Sequence, residues 1–223
     1  MKFSTVAKKT FVKRKDSNLH ERFYRIISIP FVWLFLKIKL KPDIITLLSV
    51  VFSISALFFY ISYSPYAILF YLLGIIMDHA DGPISRISGI STKKGSLFDV
   101  LSDKIAFYSL LAGITIGTFL RFNLISILFI GFILLTTKEF SFYSNIFIQR
   151  IFNYEKINKK RATIKKKNFF LMSISTVVDT VYILFPFIIL FPLYFVLGSY
   201  ILLIMIDGIK LFWEIFLVVR TNQ

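Results

Sequence analysis

The sequence contains no cysteine, which excludes disulfides and thiolate metal sites and leaves the compartment open. It has no internal repeat and no low-complexity linker that would separate domains. Acids are scarce: 12 Asp and Glu stand against 27 Lys and Arg, a formal net charge of +15. A basic balance can mean nucleic acid, but here the Lys and Arg flank apolar runs, so attraction to anionic lipid head groups is the simpler reading. The expected partners are membrane lipids, and no nucleic acid. The N-terminal stretch MKFSTVAKKTFVKRKDSNLHERF is polar and basic without an apolar centre, which is not the pattern of a cleavable signal peptide.

What is plentiful is apolar. Hydrophobic residues make up 57% of the chain, with a mean hydropathy of +0.75, against roughly 45–50% in a soluble domain. The excess falls in runs near the ~20 residues needed to cross a hydrocarbon layer about 30 Å thick. Six spans are expected, at about 43–62, 66–88, 95–119, 123–147, 169–194 and 197–219. Residues 1–22 read as a basic arm. The next stretch, FYRIISIPFVWLFLKIKL, is interrupted by Pro30 and tailed by Lys37, Lys39 and Lys41, as in a helix lying along the cytoplasmic surface. Pro42 and Asp43 then open the first span, because proline suits the first positions of a helix and Asp its positive end.

Loop charges support this count. With the N-terminus inside, the cytoplasmic segments hold the basic arm, Lys93, Lys94, the run from Arg150 to Lys167, and Arg220. The outer loops hold Arg121 alone, a positive-inside pattern. A seventh span over residues 23–40 would put the arm and the later basic loops on opposite sides. The expected fold is therefore an all-α integral membrane protein, with six transmembrane helices preceded by a basic arm and an interfacial helix. Residues 1–41 would be the cytoplasmic arm and interfacial helix, and residues 42–223 the transmembrane domain.

The chemistry concentrates in D78-H-A-D81-G82-P-I-S85-R86, eight residues, then G95-S-L-F-D99-V-L-S-D103. On a helix Asp81 lies about 60° to one side of Asp78, Gly82 about 40° to the other, and Ser85 about 20° away. His79 points about 160° from Asp81, away from that face. Asp99 and Asp103 are four apart and face one way, with Gly95 a turn earlier. Two antiparallel helices would bring four carboxylates together at the cytoplasmic interface. Each ionised Asp in a span costs roughly 2.5–3.5 kcal/mol on insertion scales, so the cluster needs a cation, and Arg86 alone does not suffice. An all-oxygen site without His or Cys suits Mg²⁺, Mn²⁺ or Ca²⁺ rather than zinc. Gly82 and Gly95 would let a ligand approach the backbone, or let helices pack closely.

The stretch resembles the signature of the CDP-alcohol phosphotransferase (phosphatidyltransferase) family, D-x-x-D-G-x-x-A-R, eight residues, G-x-x-x-D-x-x-x-D. Every fixed position matches except that Ser85 stands where Ala is usual. A helix opening near P-[ND]-x-x-T, here Pro42, Asp43 and Thr46, extends the resemblance; beyond about residue 120 it is one of hydropathy only. The resemblance implies a metal-dependent enzyme that binds a CDP-alcohol lipid and an acceptor alcohol and releases CMP. Asp78, Asp81 and Asp99 would hold one or two Mg²⁺ or Mn²⁺ ions. Asp103 would be the general base and could also touch a metal. Gly82, Ser85 and Gly95 would border the cytidine pocket, Arg86 would hold a phosphate or the carboxylates, and Asp43 and Thr46 would contribute to the nucleotide site. A homodimer is implied as well.

Other readings keep a place. An ion transporter or channel could use intramembrane carboxylates, but its path would not need Arg86 and the glycines. A membrane prenyltransferase also binds Mg²⁺–diphosphate, usually with more spans and a different motif. An inactive relative would not need four intact aspartates. Arg150, Lys159, Lys160 and Arg161 precede the fifth span, either as a lipid anchor and topology signal or as a phosphate site for the acceptor. The latter would favour inositol phosphate or glycerol phosphate. Lys138 and Glu139 are adjacent and need separate partners. Asp179 lies in the fifth span, and Asp207, Lys210 and Glu214 are spaced to pair within the sixth.

Overall fold

The computed structural model describes residues 3–10, 19–90, 93–151 and 183–221. All regular structure among them is helical: α1 (Phe3–Thr10), α2 (Leu19–Lys37), α3 (Pro42–Ile61), α4 (Tyr66–Ser88), α5 (Lys93–Phe122), α6 (Ser126–Ile151), a 3-10 turn at Phe185–Leu190, and α7 (Leu193–Thr221). Four helices are long and apolar enough to cross a membrane: Pro42–Ile61, Tyr66–Ser88, Leu97–Phe122 and Ser126–Ser144. They coincide with the first four expected spans, and the chain is a multi-pass membrane protein. Lys159, Lys160, Arg161, Asp179 and the first part of the expected fifth span lie outside the described residues. The rest of that span is not one helix. It holds the 3-10 turn and a break at Phe191 and Pro192, after which α7 begins at Leu193.

The chain forms two compact units, Met1–Asn123 and Leu124–Gln223. In the first, α3 packs along both α4 and α5, and α2 lies against α4. The α3–α5 crossing is close because α5 carries glycines where it meets Tyr60. A Cβ on Gly113 would come within 2.6 Å of the Tyr60 Cβ, and one on Gly117 would overlap the Tyr60 carbonyl. Small residues at such crossings let backbones approach in a membrane.

One feature near the N-terminus differs from expectation. The basic arm contains a helix, α1, whose Val6 and Thr10 are fully buried. These lie one turn apart on one face, and Phe3 meets the Trp33 ring edge-on at 6.2 Å. Val6 shares an apolar cluster with Val32, Phe35, Ile45, Met77, Ala80 and Ile84, so α1 backs onto the aspartate helix. Pro30, which interrupts the apolar stretch, lies inside the continuous helix α2.

A second proline explains how α2 grips α4. Pro83 sits inside α4 and lacks an N–H, so it cannot donate to the carbonyl four residues earlier, that of His79. The Ser28 hydroxyl on α2 lies 3.4 Å from that carbonyl, and 2.9 Å from its own helix's Arg25 carbonyl. The helix α4 stops at Gly89, whose φ of 70° is the left-handed conformation open to glycine.

In the second unit α6 packs on α7, with Ile127, Leu134, Val196, Tyr200 and Leu203 buried. Phe185 in the 3-10 turn meets the Tyr200 ring at 5.6 Å. Across α6 and α7, Lys138 Nζ donates to Asp207 Oδ1 at 3.0 Å. Asp207, at 2% exposure, therefore pairs across helices; the side chains of Lys210 and Glu214, which its spacing also brings within reach, lie outside the described residues.

Candidate metal centre

The aspartate helix α4 and its successor α5 run past each other next to α3. Asp78, Asp81 and Asp99 each present an oxygen, and these all lie within 4.8 Å of one another. Asp78 is half-buried, Asp81 is buried, and Asp99 and Asp103 are exposed at the open side. The grouping holds three of the four acids; Asp103, one turn past Asp99 on α5, is close enough to act electrostatically on Asp78.

Hydroxyl groups from the two flanking helices reach the α4 acids. Thr46 Oγ1 on α3 donates to Asp81 Oδ2 at 2.6 Å, and lies 3.2 Å from the Pro42 carbonyl. Ser102 Oγ on α5 donates to Asp78 Oδ1 at 3.0 Å. The family resemblance implies a place for Thr46 at the nucleotide site; in the structure its hydroxyl bonds Asp81, an acid of the cluster. Ser102 was missed. The available signal was a small polar residue among apolar neighbours, one turn past Asp99 and just before Asp103.

The remaining candidates fall around this centre. Arg86 is close enough to act electrostatically on Asp99, and its side chain folds back beside Gly82, where a Cβ would lie 3.4 Å from Nη1. Gly95 is half-buried in the first turns of α5. The Ser85 hydroxyl donates to the Ile90 carbonyl and so closes the end of α4. Asp43 is exposed in the first turn of α3, three residues before Thr46. Arg150 lies near the end of α6.

Two neighbours bond elsewhere. His79 Nδ1 is 3.0 Å from the Ile75 carbonyl and 3.8 Å from Asp78 Oδ2, and its ring meets Tyr24 on α2 at 5.6 Å. Lys104 Nζ donates to the Tyr108 hydroxyl at 3.3 Å. The grouped ligand atoms of Asp78, Asp81 and Asp99 are carboxylate oxygens, the hard donors that Mg²⁺, Mn²⁺ and Ca²⁺ accept. Oxygens around one Mg²⁺ at about 2.1 Å can be no more than about 4.2 Å apart. The observed spread fits after small side-chain rotations, or directly around a larger ion.

A family model described as CDP-alcohol phosphatidyltransferase matches residues 39–219. The chain belongs to that family. No individual curated protein matches it. The match covers α3 to α5, which hold the aspartates, and extends through α6 into α7, where the motif itself says nothing. A CDP-alcohol phosphatidyltransferase transfers a phosphatidyl group from a CDP-alcohol, and the family uses divalent metals. The grouped aspartates of this transferase could bind one.

Proposed function

We propose that the protein transfers a phosphatidyl-type group from a CDP-alcohol lipid to an acceptor alcohol and releases CMP, with Mg²⁺ or Mn²⁺ at the aspartate cluster. The observation that carries this reading is the meeting of Asp78, Asp81 and Asp99 oxygens within 4.8 Å of one another, inside the family-matched segment. These three hold one or two ions, and Asp103 could add a ligand. The bound metal would neutralise the diphosphate and stabilise the leaving CMP.

The chain's own groups do the rest. The acceptor hydroxyl attacks the phosphorus that carries the lipid alcohol, the bond from that phosphorus to the CMP oxygen breaks, and the hydroxyl proton passes to Asp103. A base must lie within hydrogen-bond reach of the hydroxyl, and Asp103 stands exposed beside the cluster. Arg86 holds a phosphate oxygen or steadies Asp99. Gly82, Ser85 and Gly95 border the cytidine, and Asp43 and Thr46 close the same pocket from α3.

The whole chain crosses the membrane six times, with the N-terminus and acid cluster on the cytoplasmic side. Support comes from the basic residues at that side's loops and from the apolar runs at 169–194 and 197–219. Residues 1–41 form the cytoplasmic part and residues 42–223 the catalytic transmembrane domain. This division follows membrane placement, whereas compactness divides the chain after Asn123. Two copies form a homodimer, as the family resemblance implies. Arg150, Lys159, Lys160 and Arg161 receive a phosphate of the acceptor.

One assay tests the reading. Purified protein is incubated with CDP-diacylglycerol, Mg²⁺ or Mn²⁺, and inositol phosphate, glycerol phosphate, inositol or serine in turn. CMP release that requires both metal and one acceptor is expected, with a phosphorylated acceptor favoured. No metal-dependent CMP release with any acceptor or CDP-lipid would sink it.

A further inference from the structure

Ser102 lies outside every fixed position of the aspartate pattern, yet it is 1% exposed and sits between Asp99 and Asp103 on α5. Its hydroxyl has one proton and two acceptors in reach: the Asp99 carbonyl at 2.8 Å, and Asp78 Oδ1 on α4 at 3.0 Å. The first is the local bond that any helical serine can make, and it links nothing beyond its own turn. An alanine would fill the same space in a membrane helix with better helix propensity. The bond to Asp78 is different in kind, because it crosses from one acid-bearing helix to the other. These two helices meet over a short stretch, while α3 carries most of the packing of each.

A carboxylate on a two-bond side chain can swing about both bonds. A hydroxyl on one oxygen fixes the plane of the group and leaves the second oxygen and the remaining lone pairs for a cation. Such outer partners of metal ligands typically alter metal affinity or activity 10–100-fold when removed. Thr46 supplies the corresponding bond to Asp81 from α3, so each α4 acid is held by a hydroxyl from a different neighbouring helix.

We propose that Ser102 is a positioning residue that sets the Asp78 carboxylate for divalent-metal binding and ties α5 to α4 at the cluster. The inference rests on the metal role given above to Asp78. It assigns Ser102 no contact with substrate.

The test is Mn²⁺ binding to the full-length protein in detergent without CDP-lipid, followed by the loss of the free-ion electron paramagnetic resonance signal. Ser102→Ala, Ser102→Thr, Ser102→Cys and Asp78→Asn are compared with the parent. Ser102→Ala is expected to raise the Mn²⁺ dissociation constant about 10–100-fold. Its kcat should largely return at saturating Mn²⁺, and its melting temperature should stay close to the parent's. Ser102→Thr restores the hydroxyl and should bring affinity back to within about threefold of the parent, well inside the loss that removal of an outer partner brings. Ser102→Cys keeps the size with a weaker donor, and should fall between Ala and the parent; it replaces Ala in the comparison if Ala does not fold. Parent-like Mn²⁺ affinity in folded Ser102→Ala or Ser102→Cys, with affinity lost in Asp78→Asn, overturns the positioning role and leaves the metal reading intact. Parent-like affinity in Asp78→Asn as well overturns both.

Discussion

Asp81 and Asp207 are both buried aspartates on apolar helices, 6% and 2% exposed, and their surroundings are opposite in kind. Asp207 faces the Lys138 ammonium at 3.0 Å, so one negative charge meets one positive charge within the α6–α7 pair. Asp81 has a threonine hydroxyl and further carboxylates. A buried ion pair is balanced without a ligand, and removing one partner strands the other. Clustered acids in a low-dielectric setting repel, and an arriving cation relieves that repulsion. Burial of an acid therefore does not identify a site; the sign of its neighbours does.

The comparison can be broken in several ways. The largest effect should come from chelation: removing divalent metal should reduce CMP release to background, and adding Mg²⁺ or Mn²⁺ should restore it. Activity that survives exhaustive chelation would make the cluster as self-contained as the Lys138 pair. Next, Asp103→Asn should lower kcat by about 10²–10⁴, the range for loss of a general base, while Mn²⁺ still binds. Full turnover in this variant would remove Asp103 from the base role.

Asp207→Asn sharpens the contrast from the other side. It removes the carboxylate that holds a half-buried ammonium, 24% exposed, and should destabilise the protein by about 1.5–3 kcal/mol, the range for a hydrogen bond to a charged group, read as a lower melting temperature in detergent. Mn²⁺ affinity of the folded fraction should be unchanged. Replacing Lys138 by Met and Asp207 by Leu together should recover most of that stability, since an apolar pair of similar volume is often neutral. A smaller effect is expected from Gly117→Ala, about 1–3 kcal/mol for overpacking, because the added methyl would overlap the Tyr60 carbonyl. A melting temperature at or above the parent's would show that the helices can part there.

The first four spans were legible because each carries a long apolar run bounded by turn residues or charge, with the second and third turning polar at the ends that hold the aspartates. The site was legible as spacing: a period of 3.6 residues puts Asp78 and Asp81 on one face and Asp99 and Asp103 on another. Partnerships between helices were not. Nothing in a helical period tells that Thr46 reaches Asp81 across 35 positions, or that Lys138 reaches Asp207 across 69. Helix α1 was hidden by its two lysines and its length of 8 residues, since so short a helix depends on the surface under Val6 and Phe3. Pro30 interrupts the apolar pattern without breaking the helix, and α2 is supported along one side by α4.

The glycine crossing of α3 and α5 has a mechanical meaning. Tyr60 and Gly117 meet 14 positions from Thr46 and from Asp103 respectively, about 21 Å along each helix at 1.5 Å per residue. The two helices pack along each other with this tight crossing toward one end, so a change in their angle about it is felt most at the far ends. A change of about 5° in their angle displaces the far tips by about 2 Å over that length. Metal–oxygen distances tolerate only about ±0.2 Å. Bilayer thickness and lateral pressure, which tilt helices, thus have a long handle on a centre that accepts very little movement.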